Sequence, residues 1–212
     1  WDPGALDVAM ILSNLLDAPL VASRVSRLVY DCNRPPQSDE AIREQSELFD
    51  VPGNRNLSDA DRKARVREVY DPFRTLLARV LADRAAQKPV LVTIHSFTPT
   101  YFGTPRTVAL GLLHDRDARL ARAMYDVAAE FSGLKVCLNE PYGPQDGVTH
   151  TLVEHALRAG LLNVMVEIRN DLVTTEQETE TVTGVLFNML SSALTRCRTD
   201  SKPLGGGGMQ SC

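Results

Sequence analysis

Several short apolar runs in this chain end in residues that carry acid–base or ion chemistry. VLVTIHSFTPTYFG, residues 91–104, passes from a buried-looking stretch into His95-Ser96 and then into turn-forming residues. NVMVEIRND, residues 163–171, holds Glu167 inside its apolar run, with Arg169, Asn170 and Asp171 behind it. VSRLVYDCN ends in Asp31 and Asn33 and is followed by Arg34 and two prolines, and GLKVCLN ends in Asn139 before Glu140-Pro141-Tyr142. A carboxylate within an apolar run is costly to bury alone, so Glu167 asks for a cation, a metal or a water-filled cleft. His95 reads as a packed imidazole, a catalytic base or a metal ligand. Asn33-Arg34 reads as a turn with a surface cation or as an anion grip. Asn139 and Asp171 also suit plain turn and loop roles.

The remaining histidines carry a weaker signal. His150 and His155 are five apart, so they do not share a helix face as i and i+4 would, and nothing matches an H-E-x-x-H zinc helix. His114, in LLHDRDAR, reads as a loop or helix-start residue. There is no Gly-rich phosphate loop, no dinucleotide fingerprint and no internal repeat.

The elements that must position these groups alternate. DPGALDVAMILSNLLDA begins with an N-cap-like Asp2 and Pro3 and then carries helical spacing. VSRLVYDCN is a strand candidate, and residues 35–57 read as a long polar loop of the kind that is functional or mobile. LSDADRKARVREVY, capped by Ser58, and DPFRTLLARVLADRAAQ read as two helices. KPVLVTIHS, rich in β-branched residues, reads as a parallel strand covered on both faces. DARLARAMYDVAAEFS (helix), GLKVCLN (strand), THTLVEHALRAG (helix), NVMVEIRND (strand) and TEQETETVTGVLFNMLSSALTRC (helix) follow. This pattern predicts an α/β fold: a mainly parallel or mixed twisted sheet flanked by helices in three αβα layers. In such sheets ligands bind beyond the carboxyl ends of the strands, which would gather the polar strand ends on one rim.

Bulk properties agree with one domain. The 212 residues are 43% hydrophobic and 24% charged with a net charge of −4, which gives no nucleic-acid or anionic-membrane signature. No apolar run reaches the roughly 18 residues of a membrane span. Cys32, Cys137, Cys197 and Cys212 form no C-x-x-C pair, which points to reduced thiols and a cytoplasmic location. Residues 1–200 are expected to form the domain, and 201–212, ending KPLGGGGMQSC, a flexible tail. The opening WDPGALDV has no initiator Met, so the sequence reads as one entered part-way, with a segment expected upstream of Trp1.

The ordered set SRLVYDCNRPP, VPGN, IHSFTPTYFGTPR, NEPYG and VEIRNDL resembles the N-formylglutamate amidohydrolase family, in its predicted-amidohydrolase branch, over roughly residues 1–195. The resemblance implies a fold similar to the zinc carboxypeptidases and removal of an N-formyl or related acyl group from an acidic amino acid. It implies one zinc ion per chain with His95 as a ligand, Glu167 as general base, Asn33-Arg34 holding the substrate's α-carboxylate, Arg106 as a second anion clamp, and Asn139 and Tyr142 lining the pocket. The family's further zinc-binding histidine lies in an N-terminal segment before this sequence begins. Asp2 falls where the family has an acidic residue, so it is either a ligand or the N-cap of the first helix. A small N-acyl amino acid would be the partner; homo-oligomer formation stays open. Two other readings keep the same site: a peptidase or amidase acting on peptides or cell-wall fragments, and a non-catalytic binder of acidic ligands.

Overall fold

The computed structural model describes residues 2–200, so the expected tail at 201–212 lies outside the described residues. In chain order the helices are α1 (Ala5–Leu16), α2 (Asp59–Arg65), α3 (Asp71–Ala82), α4 (Arg119–Phe131), α5 (His150–His155) and α6 (Glu176–Asp200). The strands are β1 (Gln45–Ser46), β2 (Phe49–Asp50), β3 (Leu91–Phe97), β4 (Thr100–Tyr101), β5 (Thr104–Pro105), β6 (Leu110–Leu113), β7 (Val136–Leu138) and β8 (Asn163–Arg169). β3, β8, β6 and β7 form a four-stranded mixed sheet in that order. β3 and β8 are parallel, with His95 opposite Glu167. β6 is antiparallel to β8, and β7 is parallel to β6.

The alternation of side chains along each strand divides the core into two. Leu110, Leu112, Val164, Val166 and Ile168 face one way, against Val8 of α1, Leu120, Met124 and Val127 of α4, and Leu186, Met189 and Leu190 of α6. The α4 positions recur at helical spacing, which is why that helix presents a single apolar stripe to the sheet. Leu91, Leu113 and Met165 face the other way, against Leu77 of α3 and Leu152 and Ala156 of α5. His95 and Glu167 belong to this second face. They lie beyond its apolar floor, at the carboxyl ends of β3 and β8. Among the described residues no helix is long and apolar enough to cross a membrane.

Four expectations fail, each for a physical reason. VSRLVYDCN is not a strand: the Ser26 carbonyl accepts from the amides of both Val29 and Tyr30, and the segment folds into turns that send successive side chains to separate neighbours. The long loop is built instead from a hairpin, β1–β2, and two short 3₁₀ turns at Asp39–Ile42 and Pro52–Asn54. The two helices expected at 57–87 are continuous, because a π turn at Val66–Tyr70 joins α2 to α3. β6 was not anticipated, and its reversed direction means that Asn139, ending β7, leaves the sheet toward the rim opposite His95.

The chain returns from that rim over Gly111, which pairs with Glu167 in the sheet. A Cβ at Gly111 would collide with the carbonyl oxygen of Glu140, so only glycine lets residues 139–142 cross the sheet there and deliver Tyr142 beside Phe97. Replacing Gly111 by Ala is therefore expected to cost about 3 kcal/mol, because the clash is with backbone rather than with a movable side-chain end. The denaturant midpoint, measured with an unchanged m-value, checks this.

Candidate active site

The centre of the site is a row of charges that alternates in sign. Nδ1 of His95 meets Oδ2 of Asp2 at 2.7 Å. Oδ1 of Asp2 accepts from Arg27 at 2.6 Å, and Arg27 donates from its other terminal nitrogen to Asp31 at 2.7 Å. Asp31 is anchored in turn, accepting from the Asn33 amide through Oδ1 at 2.9 Å. Glu167 stands beside His95 on the adjacent strand; it is 4% exposed, and its Oε2 has no hydrogen-bond partner among the described residues.

Local sequence explains why Asp2 arrives here. Gly4 caps α1 with a φ of 74°, a left-handed conformation, and packs so closely on Val173 that a side chain would not fit. That turn swings Asp2-Pro3 against the end of β3, where the Ser96 hydroxyl donates to the Pro3 carbonyl at 2.7 Å. The Asp2 side chain does not cap the helix. Its carboxylate serves the His95–Arg27 row instead.

The electrostatics follow from this packing. Burial alone would raise the Asp2 carboxyl, but the hydrogen bond and charge of His95 and the charge of Arg27 hold it well below the usual carboxylate range. Burial opposes a charged His95, yet its bond to Asp2 and the charge of Asp2 push its pKa up. Glu167 lies nearest neutrality: burial lifts it to about 7, against the pull of the charges on His95, Arg27 and Arg106. A carboxyl poised there can both accept and return a proton near neutral pH.

The other residues singled out in the sequence divide between this centre and the loops around it. Arg106 lies over the Tyr142 ring, its guanidinium carbon 4.8 Å from the ring centre, and its charge favours the ionised form of Glu167. Asn33 is buried, and its amide is fully used: it donates to the Val148 carbonyl and accepts from the Thr151 amide and hydroxyl, tying residues 31–34 to α5. Arg34 is 5% exposed, donates to the carbonyls of Asn33 and Gly147, and keeps a buried Nε with no partner. The Asn139 side chain accepts from the His114 amide at 2.9 Å, away from Glu167. Asp171 pairs with Arg169 at 2.7 Å, and Arg169 in turn donates to the carbonyl of Arg106. His150 bonds the Tyr70 hydroxyl through Nε2 at 2.8 Å.

Arg27 is the residue that sequence reasoning missed. Its i,i+4 spacing to Asp31 was visible, but that spacing implies a helix, and this segment is not one. Its second partner, Asp2, lies 25 residues away and follows from the fold alone.

The residues present meet the chemistry of a zinc site only in part. A histidine whose Nδ1 is held by a carboxylate presents Nε2 in the orientation and tautomer that metal ligation uses. Nε2 of His95 has no hydrogen-bond partner among the described residues, and Glu167 contributes an unpaired buried oxygen. Both Asp2 oxygens are already engaged, one with His95 and one with Arg27. Among the described residues no three His, Cys, Asp or Glu side chains are grouped to hold an ion. A groove of about 1230 Å³ runs from Asp2 and His95 along the outer edge of β3, between α1, residues 17–33 and α3.

The model of the N-formylglutamate amidohydrolase family matches residues 1–174. No curated protein matches the sequence. Among solved structures, the gene product Atu2144 from Agrobacterium tumefaciens is 52% identical with a TM-score of 0.91, over 93% of this chain and 79% of that one. N-formylglutamate amidohydrolase from Ralstonia eutropha JMP134 is similar in fold, with a TM-score of 0.52 at 20% identity, over 75% of this chain and 63% of that one.

Proposed function

The chain belongs to the N-formylglutamate amidohydrolase family, hydrolases of the amide bond, and from that premise we propose that it removes the formyl group from N-formyl-L-glutamate or a close N-acyl acidic amino acid. The observation that carries the reading is Glu167: a buried carboxyl beside His95, lifted to about 7, with one oxygen unpaired. Glu167 acts as general base, taking a proton from the attacking water and delivering it to the leaving amine nitrogen.

His95, fixed by Asp2, is the residue of this chain that would hold zinc, through Nε2. When bound, the ion supplies Lewis acidity at the scissile carbonyl. Arg106 and Arg34, two cations without a carboxylate partner among the described residues, hold the two carboxylates of the substrate, and the Tyr142 ring closes one wall. Asn33 keeps Arg34 in place through its bonds to Val148 and Thr151. The reading places the enzyme in the cytoplasm, which suits the free thiols of Cys32 and Cys137.

The test is a panel of N-formyl-L-glutamate, N-acetyl-L-glutamate and short peptides ending in glutamate, each with and without a chelator. Formate release from N-formyl-L-glutamate, suppressed by the chelator and restored by zinc, is the expected result. Cleavage of the peptides alone would replace this reading with a peptidase.

A further inference from the structure

Arg106 is seated by rings rather than by acids. Its guanidinium carbon lies 4.4 Å from the ring centre of Tyr101, 4.8 Å from that of Tyr142 and 5.4 Å from that of Phe97. Its one long hydrogen bond runs to the Thr98 carbonyl at 3.5 Å, and the Tyr142 hydroxyl is also within its reach. None of the ion pairs among the described residues involves it. Stacking holds a guanidinium by its faces and leaves the N–H donors, which lie in its plane, for a planar anion.

Phe97 and Tyr142 are the inner two rings, and they touch edge to face at 6.5 Å. Tyr101 differs from them. It is 40% exposed and projects from the β4–β5 hairpin, whose backbone is pinned by the Arg106 amide donating to the Pro99 carbonyl at 2.8 Å. The tip of that hairpin is held from outside: the Phe102 amide donates to Glu47, in the β1–β2 turn, at 2.9 Å. Tyr101 also packs edge-on against Phe102, with ring centres 4.6 Å apart. Two hairpins thus converge on the one ring that closes the seat of Arg106 nearest solvent. An exposed tyrosine clasped this firmly contributes little to the core; its contact of consequence is the cation.

We infer that Tyr101 is a specificity-determining positioning residue: its ring fixes the Arg106 guanidinium so that the free N–H edge selects a ligand with a side-chain carboxylate over its neutral amide. This rests on the reading of the pocket as one for an acidic amino acid. Tyr101 touches no reacting atom and acts through Arg106.

Calorimetric titration of the intact protein with L-glutamate and with L-glutamine, which differ only in side-chain charge, tests the inference without relying on turnover. The wild type is expected to prefer glutamate. Tyr101→Phe, which keeps the ring and loses the hydroxyl, should retain that preference within about 3-fold. Tyr101→Leu and Tyr101→Ala, which remove the ring without and with loss of bulk, should each reduce it about 10-fold at unchanged melting temperature. A preference left intact in both ring-less variants, or absent from the wild type, would overturn the inference. Hydrolysis assays run alongside separate the two claims: no formate release with the glutamate preference present would end the deformylase reading and leave the role of Tyr101 standing.

Discussion

Replacing Glu167 by glutamine is expected to lower kcat for formate release by about 10²–10⁴-fold with little change in KM. The carboxamide keeps the shape and the buried position but cannot accept a proton from water. The same substitution should stabilise the fold at alkaline pH, and the sign can be worked out. Glu167 is raised from 4.5 to about 7 in the folded protein. The folded state therefore binds this proton more tightly than the unfolded chain does. That contribution favours folding fully below about 4.5 and is lost as pH rises through about 7. Glutamine has no proton to lose, so Glu167→Gln should gain on the wild type between pH 5 and pH 8, by about 2–3 kcal/mol. Denaturant titrations of both proteins at the two pH values check this. A variant that loses activity without gaining alkaline stability would place Glu167 outside the buried, uncompensated setting described above.

The second large effect is at Asp2. Its carboxylate joins His95 and Arg27, with its side chain only 16% exposed and Arg27 at 35%. Truncation to alanine leaves the Arg27 guanidinium facing the His95 ring with no anion between them, and removing one partner of a buried pair typically costs about 3–5 kcal/mol. The partial exposure of Arg27 puts the expectation toward the lower end, about 3 kcal/mol, measured by denaturant unfolding near pH 6. The sign of the pH dependence is opposite to that of Glu167. The Asp2 carboxyl is held below its usual range, so its contribution is present above about 4 and fades only as acid protonates the folded form. Wild type and Asp2→Ala should therefore converge in stability at low pH. Activity should fall as well, because the His95 ring loses the bond that fixes its tautomer. Asp2→Glu, with the charge kept and the reach changed, should recover more stability than activity.

How far the sequence discloses this site depends on which interactions are local. His95 and Glu167 were legible because each interrupts or ends an apolar strand, and β3 and β8 then set them side by side in parallel register. Tyr142 and Arg106 were reached through the resemblance, and the fold sets them against each other, the guanidinium carbon 4.8 Å from the ring centre. Asn139 was expected on the same rim, because strand direction had been inferred from alternation alone. β6 is only four residues long, too short to announce itself, and its antiparallel entry reverses β7. Asp2 could be read as either a cap or a ligand, since both need only proximity to α1. The bond to Arg27 that decides its use spans 25 residues through a segment misread as a strand. The π turn at Val66–Tyr70 was hidden for a similar reason: Asp71-Pro72 is a good helix start in isolation, and only packing shows that the preceding helix runs into it.

The most direct test of the central claim, that Glu167 is the base of an amide hydrolase, is the pH dependence of kcat/KM for N-formyl-L-glutamate, followed by formate release. The account predicts a limb that rises through about pH 7 in the wild type and is absent from the residual activity of Glu167→Gln. A wild-type profile that stays flat between pH 5 and pH 9, or the same rising limb surviving in Glu167→Gln, would contradict it.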